Sequence, residues 1–149
     1  MKAKVVTSIL FLALSHNSLA AEGVVRMESR HSVAETIDKL EIILTGKGFS
    51  ILNRINHGAA AKKAGVDLRD TQLLIFGNPK VGSPLMECQQ SVAIDLPQKV
   101  LAIRDSEGRV WLSYNDPAYL KHRHGIEGCD ALLEKVSNAL RNITRSAIE

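Results

Sequence analysis

The stretch that most narrows the fold is residues 100–114. Two β-prone arms, residues 100–104 and 109–114, flank Asp105-Ser106-Glu107-Gly108, a turn sequence ending in glycine, and this pattern predicts a β-hairpin. A lone antiparallel pair is marginal in water, so further strands or a packed layer must join it. On the second arm Val110, Leu112 and Tyr114 share one side, while Trp111 and Ser113 take the other. That alternation predicts a sheet with one buried face.

The rest of the chain supplies partners for that sheet. Residues 24–27 read as a first strand. Ser32-Val33-Ala34-Glu35 is a capping box, and Val33, Ile37, Leu40 and Leu44 follow at helical spacing until Gly46 and Gly48. Phe49, Ile51 and Ile55 predict a half-buried strand, and the alanine-rich residues 57–65 a short helix. Leu73-Leu74-Ile75-Phe76 is an unbroken apolar run before Gly77-Asn78-Pro79, the pattern of a central strand covered on both faces. A short helix is expected over residues 84–90. Asp116-Pro117 opens another that stops at Gly125, and Leu133, Val136, Leu140 and Ile143 mark a last helix over about 130–145. With 149 residues, 45% hydrophobic and 23% charged, this is one α+β domain rather than a disordered or fibrous chain.

Residues 1–20 read as a signal peptide. Lys2 and Lys4 precede an apolar stretch over residues 5–14, and Ser18-Leu19-Ala20 places small residues at a cleavage site before Ala21. The expected mature chain is residues 21–149, periplasmic or secreted, with no membrane span after cleavage. Removing Lys2 and Lys4 lowers the formal charge from +3 to +1, so basicity gives no case for nucleic acid. Export would also let Cys88 and Cys129 form a disulfide, closing a loop of about 40 residues; two separate buried thiols are the other reading.

Familiar chemistries are mostly missing. From Gly77 the spacing G-x-x-x-x-G-S imitates a phosphate loop, but Ser83 stands where the lysine must be. No nucleophile is paired with a base in any local motif, so no catalytic residue is assigned. His57, His122 and His124 are the candidate metal ligands. His122 and His124 fit better as surface groups at a helix C-terminus, where the dipole favours them. His57 sits at a strand-to-helix junction, as a ligand or as a helix cap, a role Asn56 could equally fill.

Together these segments resemble a bacterial family, domain of unknown function 302. The matching residues are Arg54-Ile55-Asn56-His57 with the alanine helix and Gly65, Leu73 to Pro79, Pro84-Leu85-Met86, Asp95-Leu96-Pro97 with Lys99-Val100, and Tyr114-Asn115-Asp116-Pro117 with Tyr119-Leu120, Arg123 and His124. The resemblance spans residues 24–125. It implies a fold similar to a TATA-binding-protein repeat: a curved, mostly antiparallel sheet with two main helices on one face. It does not bring DNA binding with it. Asn56 departs from the Asp that members often have before the histidine, and Cys88 and Cys129 look particular to this chain.

The resulting functional expectation is a non-enzymatic module that binds a small molecule or a periplasmic protein. Its cleft would set His57, Asn78, Asn115 and Tyr119 around an apolar patch containing Met86. A homodimer through the sheet edge is compatible with it. The alternative is a metal- or haem-linked redox protein with His57 and Met86 as ligands. The sequence does not identify a cofactor.

Overall fold

Five strands, β1 (Val24–Ser29), β2 (Ser50–Asn56), β3 (Thr71–Gly77), β4 (Gln98–Arg104) and β5 (Val110–Asn115), form one sheet in the order β1-β5-β4-β3-β2. Every neighbouring pair is antiparallel. The helices are α1 (Val33–Gly46), α2 (His57–Lys63), α3 (Pro79–Cys88), α4 (Pro117–His124) and α5 (Asp130–Ile148), with a 3-10 turn at Gln90–Ile94. This is a computed structural model describing residues 21–149; the expected signal peptide lies outside the described residues.

The expected hairpin forms between β4 and β5, with Val100 opposite Tyr114 and Arg104 opposite Val110. Its turn is held by Asp105, whose carboxylate accepts from the Trp111 indole N–H at 2.7 Å and from the backbone N–H groups of Glu107 and Arg109 at 2.9 Å. The indole bond first, then those backbone and Arg109 bonds, hold its pKa down to about 2.

Two helices close the buried face. Helix α1 begins at the predicted capping box, where the Ser32 side chain accepts from Glu35 N–H and Glu35 reaches back to Ser32 N–H. It buries Val33, Ile37, Leu40 and Leu44. Helix α5 buries Leu133, Val136, Leu140 and Ile143, and the two helices pack on Leu74, Phe76, Val100, Ala102 and Leu112 from the strands. Two buried hydroxyls are paired: Thr36 Oγ1 lies 2.7 Å from Ser29 Oγ and donates to Ser32 O at 2.8 Å. Arg54, on the covered side of β2, donates to Gln72 Oε1 at 2.9 Å and reaches Asp38 on α1 at 2.6 Å.

Two expectations change. Strand β3 is covered on one face only: Gln72, Leu74 and Phe76 are buried, whereas Leu73 and Ile75 are half-exposed on the open side. An apolar run shows that a strand is hydrophobic but not how many layers cover it. Helix α3 starts at Pro79 rather than Pro84, because Asn78 supplies an N-cap and Pro79 occupies the first turn. Pro84 is then interior to a helix of ten residues.

The cysteines form a disulfide. Cys88, the last residue of α3, is joined to Cys129, the N-cap of α5, with their Cα atoms 6.4 Å apart. That spacing lies inside the range a bridge can span. It ties α3 to the helical layer across 41 positions of sequence.

Candidate functional site

An apolar cleft of about 380 Å³ opens at the end of the sheet where β2 begins and β3 ends. Its walls are Phe49, Leu52, Val81, Met86, Leu96 and Pro97, with Ser50, Asn78 and Gln98 as polar points. Each wall has a local cause. A β-bulge interrupts the β2–β3 register between Ile51 and Asn53, which leaves Leu52 outside the ladder and 57% exposed. Helix α3 presents Val81 and Met86, and the segment after the 3-10 turn adds Leu96 and Pro97 across a cis Leu96–Pro97 peptide. The Phe49 ring is fixed edge-on to buried Phe76, with centroids 5.8 Å apart.

The polar points differ in their freedom. Asn78 caps α3, its side-chain carbonyl accepting from Lys80 N–H at 2.9 Å, while its amide donates to Gly48 O at 3.1 Å. The amide nitrogen still has one N–H to donate, and the carbonyl oxygen one lone pair with which to accept. Gln98 is further from satisfaction, since its Nε2 is buried without a hydrogen-bond partner among the described residues. An unpaired buried amide costs roughly 1–3 kcal/mol, a cost that a ligand acceptor reaching it would offset.

Of the five expected binding residues, the cleft takes in Asn78 and Met86. Asn115 ends β5 at the same end of the sheet but two strands from β3, opposite Val24. Tyr119 packs on Gly23, whose φ of +76° and lack of a side chain admit the ring; a Cβ there would overlap it. Tyr114, beside them in sequence, is buried, and burial pushes its hydroxyl pKa up despite a hydrogen bond to Thr144.

His57 is at the opposite end of the sheet. It is exposed in the first turn of α2, next to Asn56, whose side chain fills the cap by accepting from Ala59 N–H at 2.8 Å. The strand from Gln72, opposite Asn56, to Gly77, opposite Ser50, covers roughly 17 Å at ~3.4 Å per residue. His57 and Met86 therefore do not meet at one iron or copper ion. A more polar hollow lies beside α2 between Asn56, Lys62, Asp67 and Asp70. His57 does not line it.

The histidines at the end of α4 separate in role. His122 is exposed, as expected of a surface group. His124 is not a surface cap: its side chain is 7% exposed, and its Nε2 lies 2.6 Å from Asp95 Oδ2. Its Nδ1 lies 3.0 Å from Ser91 Oγ. Arg123 adds its Nε at 3.5 Å from the same Asp95 oxygen. The resemblance had placed Asp95 in one motif and Arg123 with His124 in another, and the fold brings the three together. No group of three or more His, Cys, Asp or Glu residues suited to a metal occurs among the described residues.

A five-stranded antiparallel sheet with its helices on one face is the class of protein this arrangement defines. Residues 25–143 match the family described as Domain of unknown function DUF302, and the chain belongs to that family. The match runs on through most of α5. An uncharacterized conserved protein DUF302 from Bacillus stearothermophilus has the same fold, with a TM-score of 0.76 at 18% identity over 85% of this chain and 99% of that one. The chain is also similar to two proteins named fluoride-specific ion channel FluC 1. The one from Brucella suis biovar 1 is 46% identical over 109 residues, 73% of this chain and 43% of that protein. The one from Brucella abortus biovar 1 is 46% identical over the same length, covering 40% of that protein. The chain thus spans less than half of these relatives. No helix among the described residues is long and apolar enough to cross a membrane.

Proposed function

We propose that this chain is an exported binding module whose cleft takes a small apolar molecule bearing one hydrogen-bond acceptor. The observation behind this reading is the cleft of about 380 Å³, walled by apolar side chains, with Gln98 among its lining residues and the Gln98 amide nitrogen buried and unpaired among the described residues. Volume and composition are those of a small-molecule site. The acceptor, a carbonyl or carboxylate, is the group that Gln98 and the remaining Asn78 N–H would recognise. Export rests on the signal-peptide pattern of residues 1–20 and agrees with the disulfide.

In the Brucella relatives the matched region is part of a larger protein named as a fluoride channel. Fluoride is a poor fit to this cleft. A bare anion needs cations or several N–H donors to replace its water, and the cleft offers apolar walls instead. We therefore read the shared region as a module that binds an organic ligand, here without fluoride chemistry.

The test is a titration of the mature chain with 1-anilinonaphthalene-8-sulfonate, an aromatic probe with one anionic acceptor. The expected result is saturable binding at one site, weakened at least about tenfold by Leu52→Arg. Melting should change little, because a surface substitution typically shifts stability by about 0.5 kcal/mol or less. Binding unaffected by Leu52→Arg would remove the cleft from the account. An N-terminus at Ala21 in protein purified from a periplasm would support export; retention of Met1 would refute it.

A further inference from the structure

We propose that Ser91, His124 and Asp95 form a second site, a serine esterase centre for esters of short acyl groups. The three residues lie 29 and 33 positions apart in sequence and on two elements. The 3-10 turn supplies Ser91, Asp95 follows it directly, and α4 ends at His124. Serine Oγ to histidine Nδ1 is 3.0 Å, and histidine Nε2 to aspartate Oδ2 is 2.6 Å.

The hydrogen positions follow from what each group can do. An ionised carboxylate only accepts, so Nε2 of His124 holds the ring proton and donates to Asp95. In the neutral ring Nδ1 is then a lone pair, and the Ser91 hydroxyl must donate to it. This is the arrangement that activates a hydroxyl nucleophile. Its surroundings support the charge that develops. The His124 and Asp95 side chains are only 7% and 11% exposed, which strengthens their pairing. His124 also lies in the last turn of α4, directly ahead of Gly125. Arg123 Nε lies 3.5 Å from the same Asp95 oxygen.

The reaction balances with water as the only co-reactant. Ser91 Oγ bonds to the ester carbonyl carbon while its proton passes to His124 Nδ1. The carbon–oxygen bond to the alcohol breaks, and the departing alkoxide takes that proton. Water then adds to the acyl-serine, again giving a proton to Nδ1; the acyl–Oγ bond breaks, Ser91 recovers the proton, and a carboxylic acid leaves. Ser91 is exposed and lies outside the lining of the apolar cleft, so that cleft does not serve it as an acyl pocket. Short, uncharged acyl groups are the class that fits. Ser91 and His124 are the catalytic residues and Asp95 a positioning residue.

A structural clasp between α4 and the 3-10 turn needs only His124 and Asp95, so the exposed hydroxyl is what separates the two roles. The folded mature chain is treated with a fluorophosphonate and the adduct is mapped by mass spectrometry. One adduct on Ser91 is expected, absent in S91A at unchanged melting temperature, with p-nitrophenyl acetate hydrolysis by S91A falling to the buffer rate. Labelling in H124Q should slow by about 100-fold or more, the usual weight of a general base. If H124Q does not fold, the pH profile of the wild-type chain decides. A labelling rate that levels off once the imidazole has lost its proton supports the centre. No adduct on Ser91, a rate that H124Q leaves unchanged, or a rate that rises with hydroxide without levelling overturns it.

Discussion

The two ends of the sheet are built from opposite materials. At the hairpin end nearly every polar group is engaged by a neighbour: Asp105 takes bonds from Trp111, Arg109 and Glu107, and Arg104 pairs with Asp70. The guanidinium of Arg109 also lies 5.2 Å from the centre of the Trp111 ring. At the cleft end the walls are apolar, and the Gln98 amide lacks a partner among the described residues. Closed polar networks stabilise a tip; an apolar hollow with an unmet donor invites a ligand. Sequence reasoning placed His57 first among the binding residues, yet His57 belongs to the hairpin end.

That contrast can be broken most forcefully at the cleft. Phe76→Ala removes the ring against which Phe49 is set and should destabilise the chain by about 3–5 kcal/mol, read as a lower urea midpoint, with probe binding lost as well. Reduction of Cys88–Cys129, or Cys88→Ser with Cys129→Ser, should cost about 3–4 kcal/mol from the loop it closes. Because Cys88 ends the helix that carries Met86, probe affinity should fall with it. An unchanged urea midpoint would mean that the bridge adds no stability.

At the hairpin end the expected effects are smaller and depend on acid. The folded pKa of Asp105 is lowered from 3.8 to about 2. Its contribution is therefore present above the unfolded value and disappears as pH falls through the folded one. Asp105→Asn should remove that part of the acid sensitivity, so urea midpoints at pH 5 and pH 2.5 should lie closer together than in the wild-type chain. Midpoints as far apart as in the wild type would deny the carboxylate this role. The smallest effect is His57→Ala: about 0.5 kcal/mol or less in stability, as for an exposed surface group, and no change in probe binding. A loss of binding would move the site to the other end of the sheet.

Local signals were legible wherever one short stretch decides its own geometry. Ser32 and Glu35 mark the start of α1, Asp105 to Gly108 the hairpin, and Asp116-Pro117 with Gly125 the limits of α4. The family resemblance, read from ordered motifs, supplied the arrangement of sheet and helices. What escaped depends on register and distance. Leu52 reads as an ordinary strand residue until the bulge expels it. The helix expected from Pro84 in fact begins at Pro79, so α3 also takes in residues 79–83. Asn78 and Met86 were identified for the cleft, but Leu96 and Pro97 join them only because β4 pairs with β3. Ser91, Asp95 and His124 carry no local motif, and only the packing of α4 against the 3-10 turn unites them.

The disulfide also makes a covalent ring of everything between Cys88 and Cys129, including β4 and β5, two neighbouring strands inside the sheet. The exposed hairpin tip at Ser106 to Gly108 lies within that ring. A protease that nicks the tip releases no fragment: the two halves of the sheet stay tethered through sulfur and gain only the mass of one water. Such a molecule would run as a single chain on a non-reducing gel and come apart only when a thiol is added.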